Sequence, residues 1–563
     1  MSRSRKEVLS LLAPLAAYLL LILLVRPWGN YPLNDDWIYA RVLKHFVTTG
    51  RFVFDHDTGA AFIGQGVLAA PVVRILGFSH TALRCLTMTF GALILCLLWL
   101  LLRAVEVRPG IRAAVLLLVV WNPLFGWLSL SFMTEIYGYF FALLGALVWL
   151  RDRRAHTEGA LVSWPGAIAT ALAIGAGFWI RQYCVLAFPA LLGATFLTVW
   201  REGSWRRLLK SLPHLAGSCL VFGAVIAGYF WYARTWAQVP MTDYSHRLGR
   251  IWPINPLSAL VQCGTFLTYM SAFFLPLLVL TVRPWSRRMA PAAILLGCLG
   301  AASALVFVNM PAHPELHTQF PFLSNIIRNT GVGPVLFFDV NTLRLSSPAW
   351  PSAVWSAIEC LLLAANGIWA AVIFAVPGVL RKGGLRAELL LFALLFSLAA
   401  LTATTLVDRL AVFDRYYLPE TFGLALALAL VLSNAPRVSY ARFTVVLLPL
   451  AFFTIAGLHD YFRWSDAGWD LYREALRSGV SPANILGSYE MNGWHAFDLY
   501  RSNVTPPACI GPCHCDSDWD CLDDSYRVGM NVYGNYEVVA QRRPRYWLAP
   551  GPPVILSRRK KGQ

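Results

Sequence analysis

"YPLNDDWIYARVLKHF", residues 31–46, follows directly on the first long apolar run of the chain. Two adjacent carboxylates, Asp35 and Asp36, stand there beside a membrane span, in a chain with only 30 acidic residues among 563. Two readings compete. Asn34 ahead of the acids makes a good helix start: an Asn cap, then acids in the first turn where the helix dipole favours negative charge. The other reading is a reactive site at the membrane surface. What else lies at that depth decides between them.

The class follows from composition. The chain is 57% hydrophobic and 14% charged, with mean hydropathy +0.55; a soluble domain carries about a quarter charged residues. Apolar runs of span length recur along nearly the whole sequence, which is the pattern of a polytopic membrane protein. The net charge of +17 invites a nucleic-acid reading. The basic residues, however, stand in short clusters between apolar runs, as in cytoplasmic loops facing anionic lipid. Nucleic acid is therefore not an expected partner, and membrane lipids are. The start, "MSRSRKEVLSLLAPLAAYLLLILLVRPWG", has a long apolar part and no small-x-small cleavage site after it. It reads as an uncleaved first span with a basic cytoplasmic end.

About thirteen transmembrane helices are predicted, over 8–25, 80–103, 111–128, 131–150, 164–180, 183–200, 212–232, 259–281, 290–309, 352–380, 386–407, 417–433 and 441–457. One set of connections is short and basic ("RSRK", "RAVEVRPGIR", "RDRR", "REGSWRRLLK", "RPWSRR", "RKGGLR", "RVSYAR") and belongs in the cytoplasm. The other set, 26–79, 233–258, 310–351 and 408–416, faces outward, as does everything after 457. The expected organisation is a multi-span domain over 1–457 and a small soluble domain over 458–563, with the N-terminus inside and the C-terminus outside.

Within the first outer loop, Trp37, Ala40, Leu43, Phe46 and Val47 fall on one helical face, so an amphipathic helix lies in the interface. "AAFIGQGVLAAPVVRILGF", residues 60–78, is broken by Gly, Gln, Pro and Arg and reads as interfacial or re-entrant. In the tail, "DAGWDLYREALRSG" reads as a helix ending at Gly479, and "YEVVAQ", "RYWLAP" and "PVILSRR" as short strands.

Other polar groups recur at the outer ends of spans. "SFMTEIYGY" places Glu135 there, "FWIRQYC" places Arg181 and Gln182, and "FDRYYLP" places Asp414, Arg415 and Tyr416. Ionisable groups at membrane depth are costly and mark function by default. Either arginine alone reads as a snorkelling anchor; several such groups at one interface read as a site. Carboxylates with arginines suit displacement of a lipid phosphate from a sugar carbon. A carboxylate takes the proton of an acceptor hydroxyl, and arginines hold the phosphate as it leaves.

A first span followed by an outer loop that opens on an acidic pair resembles the GT-C membrane glycosyltransferases. The likeness is to protein O-mannosyltransferases, the lipid A aminoarabinose transferase and related bacterial lipopolysaccharide-core transferases that use polyprenyl-phosphate sugars. "NDDW" is similar to their first acidic motif, "FMTE" to the second, and "IRQY" and "DRYYLP" to the arginine motifs; "ILGSYEMNGW" in the tail is similar to a stretch of some bacterial relatives. The resemblance implies a GT-C fold: all-α and polytopic, with interfacial helices in the first outer loop and a small C-terminal α/β periplasmic domain. It implies an inverting transferase in a bacterial inner membrane that moves sugar from a polyprenyl-phosphate donor to a lipid, glycan or protein acceptor. Asp35 or Asp36 is then the base, with Asp35 favoured and its neighbour orienting. Glu135 supports the acceptor or the base, Arg181 and Arg415 bind the donor phosphate with Gln182 and Tyr416 beside them, and Gln65 contacts the sugar. Lipid-monophosphate users generally work without a metal, so the resemblance assigns no cofactor and leaves a divalent metal open.

Seven cysteines in or beside spans are small apolar residues. Four cluster in "CIGPCHCDSDWDC": Cys509, Cys513, Cys515 and Cys521. In an oxidising compartment they form disulfides, with three pairings open, or with His514 they hold zinc. "HPELH", with His313, Glu315 and His317, reads as a capped loop, and "NVT" at Asn503 matches a glycosylation acceptor. Two other classes fit less well. A transporter wants ionisable groups near mid-membrane in matched halves. A polysaccharide ligase or polymerase shares the basic pocket but uses diphosphate-linked donors.

Overall fold

The computed structural model describes residues 3–54, 58–156, 159–237, 256–280, 287–309, 320–321, 325–334, 336, 338–339, 344–345, 349–407, 413–502, 525–532 and 534–560. The "HPELH" loop, Asn503, His514 and the four tail cysteines lie outside these residues.

Among the described residues, ten helices are long and apolar enough to cross a membrane: Ser4–Val25, His80–Ala104, Gln182–Glu202, Trp205–Thr235, Pro256–Leu278, Arg287–Val306, Ser352–Leu380, Gly384–Thr405, Asp414–Ser433 and Tyr440–Arg477. A bent pair brings the number to eleven. The chain is thus a multi-pass membrane protein. The other three of the thirteen predicted spans are also helical, each with a difference. The predicted span 111–128 is broken into Pro109–Val120 and Pro123–Ser129, which meet at 66°. Asn122 caps the second piece through its side chain, accepting from the amides of Leu124 and Phe125, and Pro123 takes the first helical position, where its missing N–H costs nothing. Predicted span 131–150 becomes the helix Glu135–Ala155. Charges stand at both of its ends, leaving only 136–150 uncharged. The predicted 164–180 span is a helix of 15 residues, Trp164–Phe178.

Two helices occupy the first long loop. Asp36–Thr49 buries Trp37, Ala40 and Leu43, then stops at Gly50, whose φ of 74° is left-handed and whose N–H bonds the Phe46 carbonyl. Ile63–Leu76 has 14 residues, about 21 Å of helix, against the ~30 Å of hydrocarbon a spanning helix must cover. Asn34 does not cap the first of these helices. Its φ is 44°, and the cap position falls on Asp35, whose side chain makes no capping hydrogen bond.

The tail is not set off by a break in the backbone. One helix of 38 residues, Tyr440–Arg477, runs through position 457. At 1.5 Å per residue it is about 57 Å long, so its second half rises well past the hydrocarbon. That half gathers the other parts around it. Tyr31 stacks on Trp469 at 5.6 Å and donates its hydroxyl to Asp466 at 2.5 Å. Asp460 accepts the amides of Trp547 and Leu548 at 2.7 and 2.8 Å. Beyond it lies a four-stranded sheet, in spatial order Ile485–Leu486, Tyr526–Gly529, Val554–Arg559 and Tyr536–Arg542. "YEVVAQ" and "PVILSRR" are strands as predicted. "RYWLAP" is not, because its amides are spent on Asp460 and its Trp547 lies flat on His459 at 3.8 Å.

Three helices are tied by one buried carboxylate. Glu388, with no solvent exposure, receives Arg153 through two nitrogens at 3.0 and 3.1 Å, Trp149 at 3.0 Å and Thr195 at 2.7 Å. Removing one partner of a buried pair strands the other charge, at about 3–5 kcal/mol. Glu388→Ala is therefore expected to lower the thermal unfolding midpoint in detergent strongly, and Glu388→Gln less so. An unchanged midpoint for the alanine variant would remove this network from the interactions that hold the bundle.

Candidate functional site

Two arginines arrive at the site on turns of the same construction. Arg181 has extended backbone, φ −141° and ψ 119°, ahead of the 3-10 turn Gln182–Leu186. Arg415 lies in the 3-10 turn Asp414–Tyr417. Each turn leads straight into a long apolar helix. The Arg181 turn packs tightly on the helix that begins at Glu135. A Cβ at Gly138 would lie 2.8 Å from the Arg181 Cβ and 3.0 Å from the Cys184 sulfur, and one at Gly177 would lie 2.9 Å from the Gly138 carbonyl oxygen. These two glycines let the turn approach Glu135.

The side chains then alternate in charge. Arg181 Nη2 lies 3.2 Å from Glu135 Oε1, and its Nη1 donates to Thr134 Oγ1 at 3.2 Å. Arg415 Nε lies 4.0 Å from the same Glu135 oxygen, and its Nη1 lies 2.6 Å from Asp35 Oδ2. Glu135 is wholly buried and the two arginines nearly so. The Tyr416 ring lies close to both guanidiniums, 5.4 Å from that of Arg181 and 5.5 Å from that of Arg415. Tyr183 faces Tyr416 at 6.0 Å. Asp35, Glu135, Arg181, Arg415 and Tyr416 are thus brought together, with Gln182 next along the Arg181 turn.

The two aspartates part company. Asp35 is the exposed partner, with its side chain 24% accessible and, among the described residues, only Arg415 paired to it. Asp36 is 2% exposed, and both of its oxygens are occupied by backbone: Oδ1 accepts from Leu33 N at 2.5 Å and Oδ2 from Phe132 N at 3.2 Å. Burial pushes the Asp36 carboxyl up to about 7, against the opposing pull of Arg84 and the two amides. Arg84 holds the approach to the pair, donating to the carbonyls of Pro27, Gly29 and Tyr31 at 2.6, 3.0 and 2.9 Å.

Gln65 and Asp414 are placed apart from the arginines' polar ends. Gln65 is wholly buried, and its Nε2 donates to the Phe132 carbonyl at 3.3 Å. The Phe132 backbone is therefore held on both sides of its Cα, its N–H by Asp36 and its carbonyl by Gln65. Asp414 accepts the amides of Ile326 and Ile327 at 2.9 and 2.7 Å and pins that segment to the Arg415 turn.

Three groups escaped the sequence reading. Arg84 sits near the start of an apolar helix, and a cation in a span is itself a signal. Glu420, one turn beyond Tyr416, is wholly buried, and among the described residues neither carboxylate oxygen has a hydrogen-bond partner. Glu490, inside "ILGSYEMNGW", is 2% exposed. It starts a tail helix that docks on the first-loop helix, with Tyr489 edge-on to Trp37 at 5.9 Å and a Cβ at Gly493 only 2.3 Å from the Trp37 ring. Burial raises the Glu490 carboxyl, and Asp35 adds to the rise. Among the described residues, no group of three His, Cys, Asp or Glu is arranged to hold a metal ion.

Several solved membrane proteins resemble the chain at low identity. The archaeal oligosaccharyltransferase AglB from Archaeoglobus fulgidus, solved with an inhibitory peptide and a dolichol-phosphate, is similar at 14% identity and TM-score 0.45, over 88% of this chain and 64% of its own. ArnT from Cupriavidus metallidurans bound to undecaprenyl phosphate is similar at 13% identity and TM-score 0.41, over 99% of this chain and 98% of its own. None of the curated proteins matches the sequence. Residues 65–231, which carry Gln65, Glu135 and Arg181, match the model of the family described as dolichyl-phosphate-mannose-protein mannosyltransferase.

Proposed function

We propose that the chain is a GT-C membrane glycosyltransferase. It moves a sugar, with inversion, from a polyprenyl-phosphate donor to a hydroxyl of a lipid, glycan or protein acceptor. The observation that carries this reading is the pair of guanidiniums around Glu135 with the half-exposed Asp35 at its edge. The family match over 65–231 supports it. The acid and arginine cluster faces the outer side of a bacterial inner membrane. Basic residues support that orientation: Lys6, Arg103, Arg112, Arg151 and Arg154 line a cavity near the opposite ends of helices that reach the site.

In this mechanism the donor phosphate takes Arg181 and Arg415, whose planar forks suit phosphate oxygens. Asp35 holds Arg415 in the structure, so a phosphate arriving there competes with Asp35 for the guanidinium. The released carboxylate accepts the proton of the acceptor hydroxyl. The hydroxyl oxygen attacks the anomeric carbon from the face opposite the phosphate. As the new C–O bond forms, the bond from carbon to the phosphate oxygen breaks, and the leaving charge is neutralised by the two arginines. Asp36 does not react. It holds the loop, through Leu33 and Phe132, so that Asp35 faces Arg415.

Separate Asn variants distinguish the two acids. Asp35→Asn is expected to keep the thermal midpoint and lose at least about 10²-fold in transfer, the usual contribution of a positioned base. Asp36→Asn sets an amide NH2 against a backbone N–H, and an unmet buried donor costs about 1–3 kcal/mol. Its midpoint should fall. Stability should also respond to pH. The Asp36 carboxyl is raised in the folded state from 3.8 to about 7. Its contribution is full below the unfolded value and lost as pH rises through about 7. Relative to Asp36→Asn, the parent protein should lose stability between pH 5 and pH 8; parallel pH profiles would overturn the assignment of Asp36 as the buried titrating group.

The reaction itself is tested with the purified full chain, polyprenyl-monophosphate and polyprenyl-diphosphate sugars, and product mass. Arg181→Ala and Arg415→Ala should each weaken donor binding and cut turnover by about 10²–10³-fold. Unchanged donor affinity in both variants, or transfer only from the diphosphate donor, would overturn the monophosphate assignment.

A further inference from the structure

A second charged centre lies at the other end of the same helices. His80–Ala104 passes from Arg84, beside the candidate site, to Arg103, nineteen residues on, about 30 Å along a helix. Glu135–Ala155 makes the same passage from Glu135 to Arg154. At that far end a cavity of about 900 Å³ is lined by Lys6, Arg103, Arg108, Arg112, Arg151 and Arg154.

The lining also includes two acids, and both are engaged. Glu7 pairs with Arg112 at 2.6 Å, and Glu106 with Arg154 at 3.5 Å. Arg108 is turned to the carbonyls of Leu432 and Ala435 at 2.7 and 2.9 Å. Among the described residues, Lys6, Arg103 and Arg151 have no acidic partner. The wall is built rather than merely solvated. Arg112 is 2% exposed, with Nε and Nη1 buried and unbonded. The guanidiniums of Arg103 and Arg112 stand over the Trp99 ring at 4.9 and 5.4 Å, and Trp99 is locked by its Nε1–H to Ser10 Oγ at 2.8 Å. A fixed aromatic therefore holds two cations, of which Arg112 is answered by Glu7. The lining as a whole sets six cations against two acids, an excess of positive charge that costs repulsion unless an anion is bound.

We infer that this cavity binds a phosphate-bearing anion, as an anionic phospholipid headgroup or a soluble phosphate ester would supply it. The site is separate from the arginine pair that faces the donor. Basic pockets between spanning helices select phosphate headgroups by charge, and each cation near an anionic surface strengthens binding several-fold.

The test uses the full chain in micelles holding equal phosphatidylglycerol and phosphatidylcholine, with retained lipid counted by native mass spectrometry. A second arm replaces the lipids with inorganic phosphate or glycerol 3-phosphate and follows the thermal midpoint. The cavity variant is Lys6→Gln, Arg103→Gln and Arg151→Gln together. The control is Arg201→Gln, Arg206→Gln and Lys210→Gln, which removes equal charge from exposed residues at the same end. One phosphatidylglycerol should be retained in preference to phosphatidylcholine. The cavity variant should bind it at least about tenfold more weakly, and the control should match the parent. If the soluble phosphates raise the midpoint of the parent but not of the cavity variant, with no lipid preference, the anion is a soluble one. Equal losses in both variants would show diffuse surface charge, and no anion response in either arm an unoccupied cavity; either result overturns the inference.

Discussion

A buried guanidinium must be answered by a negative charge, and this protein answers two with a single alternating row: Arg181, Glu135, Arg415, Asp35. Removing the wholly buried Glu135 would leave a desolvated cation, at a cost of several kcal/mol. The row constrains the whole bundle, because its members come from four separate stretches of chain. Asp35 precedes the first-loop helix, Glu135 opens one helix, and Arg181 and Arg415 sit on turns that lead into two others. Their charges meet only if these segments end at one level. The glycines at 138 and 177 then follow as a steric requirement, since any side chain there would push the Arg181 turn off Glu135.

Much of this was legible because membrane sequences are written in large contrasts. Acids and arginines at the ends of apolar runs stand out, and they are the groups the fold brings together. What could not be read depended on distant partners. Whether Asp35 or Asp36 points at the arginines turns on the Phe132 amide, 96 residues from Asp36. The carbonyl of the same residue takes the amide of Gln65, to which the resemblance assigned a sugar contact. Asn34 had the right chemistry for a cap but sits in a left-handed backbone conformation before the helix begins.

The tail shows why a change in composition is not a change in backbone. After residue 457 the sequence turns polar, and a boundary is the natural reading. The helix continues, however, because only its surroundings change as it leaves the apolar layer. "RYWLAP" misled in the opposite way. Its aromatics suggested a strand, but their contacts are with one helix, through His459 and Asp460. Single residues inside the spans, such as Arg84 and Glu420, were visible as letters but without a partner in view.

The contact between Arg415 and Asp35 has a thermodynamic corollary. In the proposed reaction, a phosphate that takes Arg415 binds less tightly by the free energy needed to separate the pair, and the carboxylate it displaces is left without its cation. Affinity for the donor and release of the Asp35 carboxylate are therefore two ends of a single equilibrium.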